Sequence, residues 1–216
     1  VIADLLPPGV VAVEAFGDIP GEPIFPGEEA LVARAVPARR REFVTARRCA
    51  REALGRLGFP PAPIGTGPRR EPLWPDGVAG AITHCTGYRA AAVTTMLASV
   101  GIDAEPSGPL PPDVAEQVAA VGELDMLAEL AGADPSIPWD RLLFSAKESV
   151  YKAWYPLTGR WLGFEDAVLA VDPATRTFRA RILARGERTD GGPPLTGLDG
   201  RYAVTDRWVL TAVTVR

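Results

Sequence analysis

Proline and glycine, 22 of each in 216 residues, interrupt this chain so often that a long helix can form only where they stand aside. Two stretches with helical period escape them. From Ala38 to Leu57 the residues Phe43, Ala46, Ala50, Ala53, Leu54 and Leu57 fall close to one stripe, and Gly58, Pro60 and Pro61 end it. From Trp139 to Tyr155 a second long helix is predicted, entered from Pro138 and closed by Pro156 and Gly159. Glu28 to Val36 reads as a short helix, and Asp113 to Ala131 as one or two more.

The remaining apolar segments have the period of strands. These are Val10–Val13, Ala79–Cys85, Ala90–Met96, Val100–Glu105, Asp166–Val171, Thr177–Leu183, Arg201–Thr205 and Trp208–Val215. Each half of the chain pairs one long helix with several strands. The proline-rich run after Glu105, through Pro112, reads as the linker between the halves.

Hydrophobic content of 47% and charged content of 23% fit an ordinary globular protein. Cys49 and Cys85 form no disulfide framework and lack metal-ligand spacing. No apolar run approaches the roughly 18 residues of a membrane span. The opening residues lack the basic region and apolar core of a secretion signal, so a cytoplasmic location is expected.

Charge is uneven. Ten arginines between Arg34 and Arg70 face only Glu42 and Glu52, a local balance of +8 in a chain of net charge −4. Such a segment serves one anionic ligand or partner, or is a solvated helix surface. Only two lysines occur, Lys147 and Lys152, both in Phe144-Ser145-Ala146-Lys147-Glu148-Ser149-Val150-Tyr151-Lys152-Ala153-Trp154.

Glu148 and Lys152 share a helix face with Phe144 and Tyr155, while Ala146, Val150, Ala153 and Leu157 lie toward the core. On the strand Gly101-Ile102-Asp103-Ala104-Glu105 the two carboxylates point the same way, roughly 6.5–7 Å apart at the backbone. Neighbouring carboxylates repel, and a hard divalent ion relieves them. Taken singly, these features also fit a solvated strand edge and an exposed ion pair. His84, the only histidine, fits a structural hydrogen-bonding role as well as a catalytic one. Walker-type and dinucleotide-binding glycine loops are absent.

Several blocks, in order, carry a resemblance: Arg39-Arg40-Arg41-Glu42-Phe43 with Arg47-Arg48-Cys49-Ala50-Arg51, then Leu73-Trp74-Pro75-Asp76-Gly77, Ile82-Thr83-His84-Cys85, Gly101 to Glu105, Phe144 to Trp154, and Trp161 to Asp166. They resemble the 4′-phosphopantetheinyl transferases of the two-domain Sfp type, in the enterobactin-synthase (EntD-like) subgroup. The resemblance implies transfer of the phosphopantetheine arm of coenzyme A to a serine of an acyl or peptidyl carrier protein. Adenosine 3′,5′-bisphosphate is released, and the modified carrier serves fatty-acid, polyketide or nonribosomal-peptide synthesis.

It further implies magnesium, with manganese as a substitute, on Asp103, Glu105 and Glu148. Glu148 would be the general base, and Lys152 would meet pyrophosphate charge. Arg39 and Arg47, eight apart on one helix, would take coenzyme A phosphates, with Thr83 and His84 completing the nucleotide site. Related enzymes often carry a lysine where this chain has Thr66; Arg69 and Arg70 would replace it.

The expected architecture is α+β: a pseudo-dimer of two similar subdomains, each a long helix on a small, mostly antiparallel sheet, with the site in the cleft between. Residues 1–105 would form the N-terminal subdomain and 106–216 the C-terminal one. A monomer is expected, without membrane or nucleic-acid partners. The alternative chemistry is a metal-dependent hydrolase of phosphoanhydrides or phosphodiesters, in which water replaces the carrier serine.

Overall fold

The computed structural model describes residues 1–216. Its first half contains β1 (Val10–Ala15), α1 (Pro37–Arg56), a small hairpin of β2 (Gly65–Thr66) and β3 (Pro72–Leu73), β4 (Ala79–Cys85) and β5 (Tyr88–Thr94). The second half contains β6 (Ser99–Pro106), α2 (Pro112–Val118), α3 (Glu123–Ala133), α4 (Trp139–Thr158), β7 (Ala167–Asp172), β8 (Thr177–Ile182), β9 (Gly197–Val204) and β10 (Trp208–Val215). One antiparallel sheet has the order β1-β5-β4, the other β6-β10-β9-β8-β7.

Alternation along β5 explains how the halves join. All seven of its residues are buried. Ala91 and Val93 meet Cys49, Ala50, Ala53 and Leu54 of α1, whose small side chains let the helix lie close. Tyr88, Ala90 and Ala92 point the other way, into a core shared with Val100, Ile102 and Ala104 of β6 and Trp208, Leu210 and Ala212 of β10. The two sheets thus pack face to face, which buries the apolar side that each would otherwise expose.

The opposite face of the second sheet is covered by α4. Leu142, Leu143, Ala146, Val150, Ala153, Trp154 and Leu157 join Val209, Val213 and Val215 in the largest core, as the helical period predicts. On β6 the face toward α4 carries Gly101, Asp103 and Glu105. A Cβ on Gly101 would stand 2.0 Å from the Ser149 carbonyl oxygen and 2.7 Å from the Ala153 nitrogen. Only glycine lets the helix backbone come so near the strand.

Some expectations change. β6 is laddered to β10, so the break expected at residue 105 falls inside a strand of the second sheet; the chain crosses between halves at 95–98 instead. The proline-rich run after Glu105 therefore links β6 to α2 within one half. Pairing overrides punctuation here, because the apolar face of β6 is complementary to both sheets. The segment 28–36 is only a 3₁₀ turn, Glu29–Val32. β9 begins at Gly197, four residues before the expected start at Arg201. α4 runs through Pro156 to Thr158 and ends on Gly159, whose φ of 64° gives the left-handed cap. Packing of its apolar face outweighs the one helical hydrogen bond that proline removes. No helix is long and apolar enough to cross a membrane.

Candidate active site

Where the start of α1, the β2–β3 hairpin and β4 face α4, the halves enclose a cleft of about 620 Å³. Four cationic side chains line it: Arg39, Arg69 and Arg70 from the first half, and Lys152 from the second. Trp74, Ile82, Tyr151 and Tyr155 supply apolar and aromatic walls, and Glu71 and Glu148 its two carboxylates. A polar end rich in guanidinium beside aromatic surface suits a ligand with phosphates and a ring system. A second groove of about 560 Å³ lies on the outer faces of β7, β8 and β9. It contains none of the candidate residues.

Behind Lys152 sits Asp103, 4% exposed. Lys152 Nζ donates to Asp103 Oδ1 at 2.6 Å and to the Ile102 carbonyl at 3.2 Å. That reach depends on the close approach at Gly101. Thr83 Oγ1, on β4, donates to Asp103 Oδ1 at 3.3 Å and accepts the Ala104 N–H at 3.0 Å. Thr83 is thus a strut between the sheets that fixes Asp103, rather than part of the cleft wall.

Glu105 is held by Arg141 of α4 at 3.1 Å, and Arg141 also donates to the carbonyls of Gly108 and Pro109. Burial, with the charge of Asp103, pushes the Glu105 carboxyl up to about 7. Burial likewise raises Glu148, Lys152 opposing this and Asp103 adding to it. The Glu148–Lys152 ion pair considered from spacing is not made; the ammonium goes to Asp103 instead.

Asp103, Glu105 and Glu148 do not form a ready-made metal-binding cluster. Buried carboxylates take a counter-ion, and Lys152 and Arg141 are the ones within reach of the strand pair. The donor set still suits a hard cation. Asp103 Oδ2 is buried with no hydrogen-bond partner, and Asp103 raises both neighbouring glutamates.

The basic segment divides. Arg48 pairs with Glu22 and Arg51 with Glu28, each at 2.6 Å, through a strap that crosses α1. Arg47, 8% exposed, donates to the Ile64 carbonyl at 3.2 Å and to Thr66 Oγ1 at 2.8 Å, and lies over the Phe43 ring. It does not line the cleft beside Arg39. Eight residues turn the helix about 80° past two full turns, which carries Arg47 round to the Ile64 loop. Thr66 anchors that arginine.

His84 meets the cleft through Arg39, whose guanidinium stands against the imidazole and 3.4 Å from Glu42. Burial and the charges of Arg39, Lys152 and Arg89 push the ring down to about 4, so it is neutral at pH 7 and accepts from Arg39. Arg69 lies over Trp161 at 5.7 Å, spanning the two halves. Arg70 takes a left-handed φ of 69°, uncommon for a side chain of this size.

Sequence reasoning missed three contributors. Gly101 was visible within its motif, but its reason, the passage of α4, was not. Arg141 carried no signal, and the unpartnered buried hydroxyl of Tyr151 at the cleft wall carried none either.

Comparison with known proteins accords with this arrangement. Residues 27–94 match the 4′-phosphopantetheinyl transferase N-terminal domain, and residues 99–203 the 4′-phosphopantetheinyl transferase superfamily. The chain is 55% identical to 4′-phosphopantetheinyl transferase Svp of Streptomyces mobaraensis, over 99% of its own length and 89% of the relative's. It is 47% identical to 4′-phosphopantetheinyl transferase PptT of Mycobacterium tuberculosis, over 99% and 97%. Likeness to enterobactin synthase component D of Salmonella typhi is thinner, 34% over 70% of this chain and 66% of the relative.

The protein belongs to the 4′-phosphopantetheinyl transferases, enzymes that modify carrier proteins using coenzyme A. Nothing in these likenesses supports the hydrolase alternative.

Proposed function

We propose that the cleft binds coenzyme A with its phosphates against Arg39, Arg69, Arg70 and Lys152, and that Glu148 takes the proton of the carrier serine. One observation carries this reading. Of the two carboxylates lining the cleft, Glu71 accepts the Arg69 amide at 2.9 Å, whereas Glu148 has no hydrogen-bond donor or ion-pair partner in the chain. Its raised pKa brings it nearer the value that suits a base at neutral pH. The serine oxygen forms a bond to the phosphorus that carries the pantetheine arm, and the bond from that phosphorus to the departing bisphosphate breaks. Lys152 meets the charge of the leaving group. Thr83 and His84 act at one remove, the first by fixing Asp103 and the second by orienting Arg39.

Asp103, Glu105 and Glu148 are the residues that would hold magnesium or manganese. When bound, such an ion neutralises pyrophosphate charge. The working unit is a monomer, a reading supported by both cleft walls coming from one chain, and its proposed location is the cytoplasm. The test is mass spectrometry of apo carrier proteins incubated with coenzyme A and magnesium. A gain of one phosphopantetheine is expected, and its absence on several carriers would overturn the reading. Glu148→Gln is expected to abolish transfer while coenzyme A still binds; undiminished turnover would remove Glu148 from the role of base.

A further inference from the structure

Of the two lysines, Lys152 faces the cleft and Lys147 does not reach it. Lys147 is 3% exposed; its ammonium pairs with Glu123 Oε2 at 2.6 Å and donates to the Val118 carbonyl at 2.9 Å and to the Phe164 carbonyl at 2.7 Å. Its charge is thus surrounded by acceptors on three sides. Glu123, 1% exposed, also accepts the N–H groups of Ala120 and Leu169, each at 2.6 Å. One ion pair therefore ties α4 to the end of α2, the start of α3, the 3₁₀ turn Phe164–Asp166 and β7.

The location matters. Lys147 immediately precedes Glu148, and the segment it anchors forms the wall of a small pocket of about 150 Å³. Glu148 and Tyr151 line both this pocket and the main cleft; Trp161, Leu162 and Phe164 close it on the far side. A buried ion pair is often no more stable than well-packed apolar residues, so stability alone does not account for it. What it supplies that methylenes do not is a directional link between five segments.

We propose that the Lys147–Glu123 pair is a positioning element for the transfer step. It holds the 161–167 wall at a set distance from α4 and so fixes the space beside the Glu148 carboxylate. Neither residue touches substrate. The proposal rests on Glu148 being the base. A displacement of about 1 Å at a reacting group can cost roughly a hundredfold in rate, which is the scale on which such a link acts.

The experiment compares Lys147→Arg, which keeps the charge but changes the reach, with Lys147→Met/Glu123→Gln, which removes both charges. Coenzyme A affinity is read by calorimetry, and kcat on an apo carrier by mass spectrometry, normalised to folded protein. The expected result is a Kd for coenzyme A within about twofold of the parent and a kcat at least about tenfold lower. A kcat unchanged in both folded variants, or a kcat loss matched by an equal loss of coenzyme A affinity, would overturn the proposal.

Should neither variant fold, amide exchange of the unaltered protein decides. Ala120, Leu169 and the 161–167 amides are expected to be protected in step with the core of α4. A wall that exchanges freely while α4 is protected would overturn it. Glu148→Gln, measured alongside, separates the two readings: full activity there refutes the base, whatever the lysine variants do.

Discussion

The two long helices use charge in opposite ways. α1 is crowded with arginine, yet Arg47, Arg48 and Arg51 are bound within their own half by the Ile64 loop and by Glu22 and Glu28. α4 carries few cations, and each reaches out of the helix: Arg141 and Lys152 to Glu105 and Asp103 of β6, and Lys147 to Glu123 at the start of α3. Abundance on α1 marks scaffold only from Arg47 onward; at its open end Arg39 lines the cleft, and Arg40 and Arg41 are exposed. Scarcity on α4 marks the residues that build the site. A guanidinium can satisfy several carbonyl and carboxylate acceptors at a loop, whereas a lysine places one compact charge at a point.

That contrast can be broken most severely at the seam between helix and strand. Gly101→Ala puts a methyl against the α4 backbone, and a loss of about 3 kcal/mol or more is expected in denaturant unfolding, with activity lost as Lys152 is displaced. Stability within about 1 kcal/mol of the parent would show that α4 is free to move away.

Next comes Asp103→Asn, which leaves Lys152 without its carboxylate. Transfer is expected to fall by about a hundredfold or more, with calorimetry still detecting coenzyme A and divalent-ion binding weakened. Retained magnesium affinity would sink the assignment of Asp103 as a ligand.

The division within α1 is sharpened by a pair of variants. Arg39→Ala is expected to raise the KM for coenzyme A about tenfold with little effect on stability. Arg47→Met is expected to cost about 1–3 kcal/mol of stability and to shift that KM less than about twofold once folded protein is counted. Equal KM effects would return Arg47 to the phosphate site.

A smaller effect follows pH. His84 has a folded pKa of about 4 against an ordinary 6.5, so below pH 6.5 the unfolded chain binds the proton that the folded one refuses. Stability therefore declines as pH falls from about 6.5 to 4 and is unaffected above that window. Facing groups are Arg39, Arg89 and Lys152, with Asp103 opposing them, and Glu42 stands 3.6 Å from the ring. Allowing for partial exposure, the swing should be about 1–2 kcal/mol, and His84→Gln should flatten it in unfolding curves taken at several pH values. Smallest of all is Arg56→Ala, which breaks an exposed pair with Glu52 and should change stability by less than about 0.5 kcal/mol.

How far the sequence could be read depends on which forces act locally. α1, β4 and β10 were legible to within a residue or two, because apolar period and flanking glycine and proline are local signals. So was the core face of α4. The end of α4 was not, since a proline that breaks an isolated helix is carried here by packing. Nor was the ownership of β6, because a strand with a complementary face on each side carries no mark of which sheet will ladder it.

At the site, the sequence determined the chemical inventory: Asp103 and Glu105 on one side of one strand, Glu148 and Lys152 on one side of one helix, and arginine as the commonest cation of the cleft wall. Only the tertiary structure decided the pairings. It sent Lys152 to Asp103 and left Glu148 unpaired, withdrew Arg47 from the cleft, and made Lys147 a tie between segments. The physical reason is that a buried charge must find its partner among whatever groups folding brings near, and sequence separation says nothing about that distance.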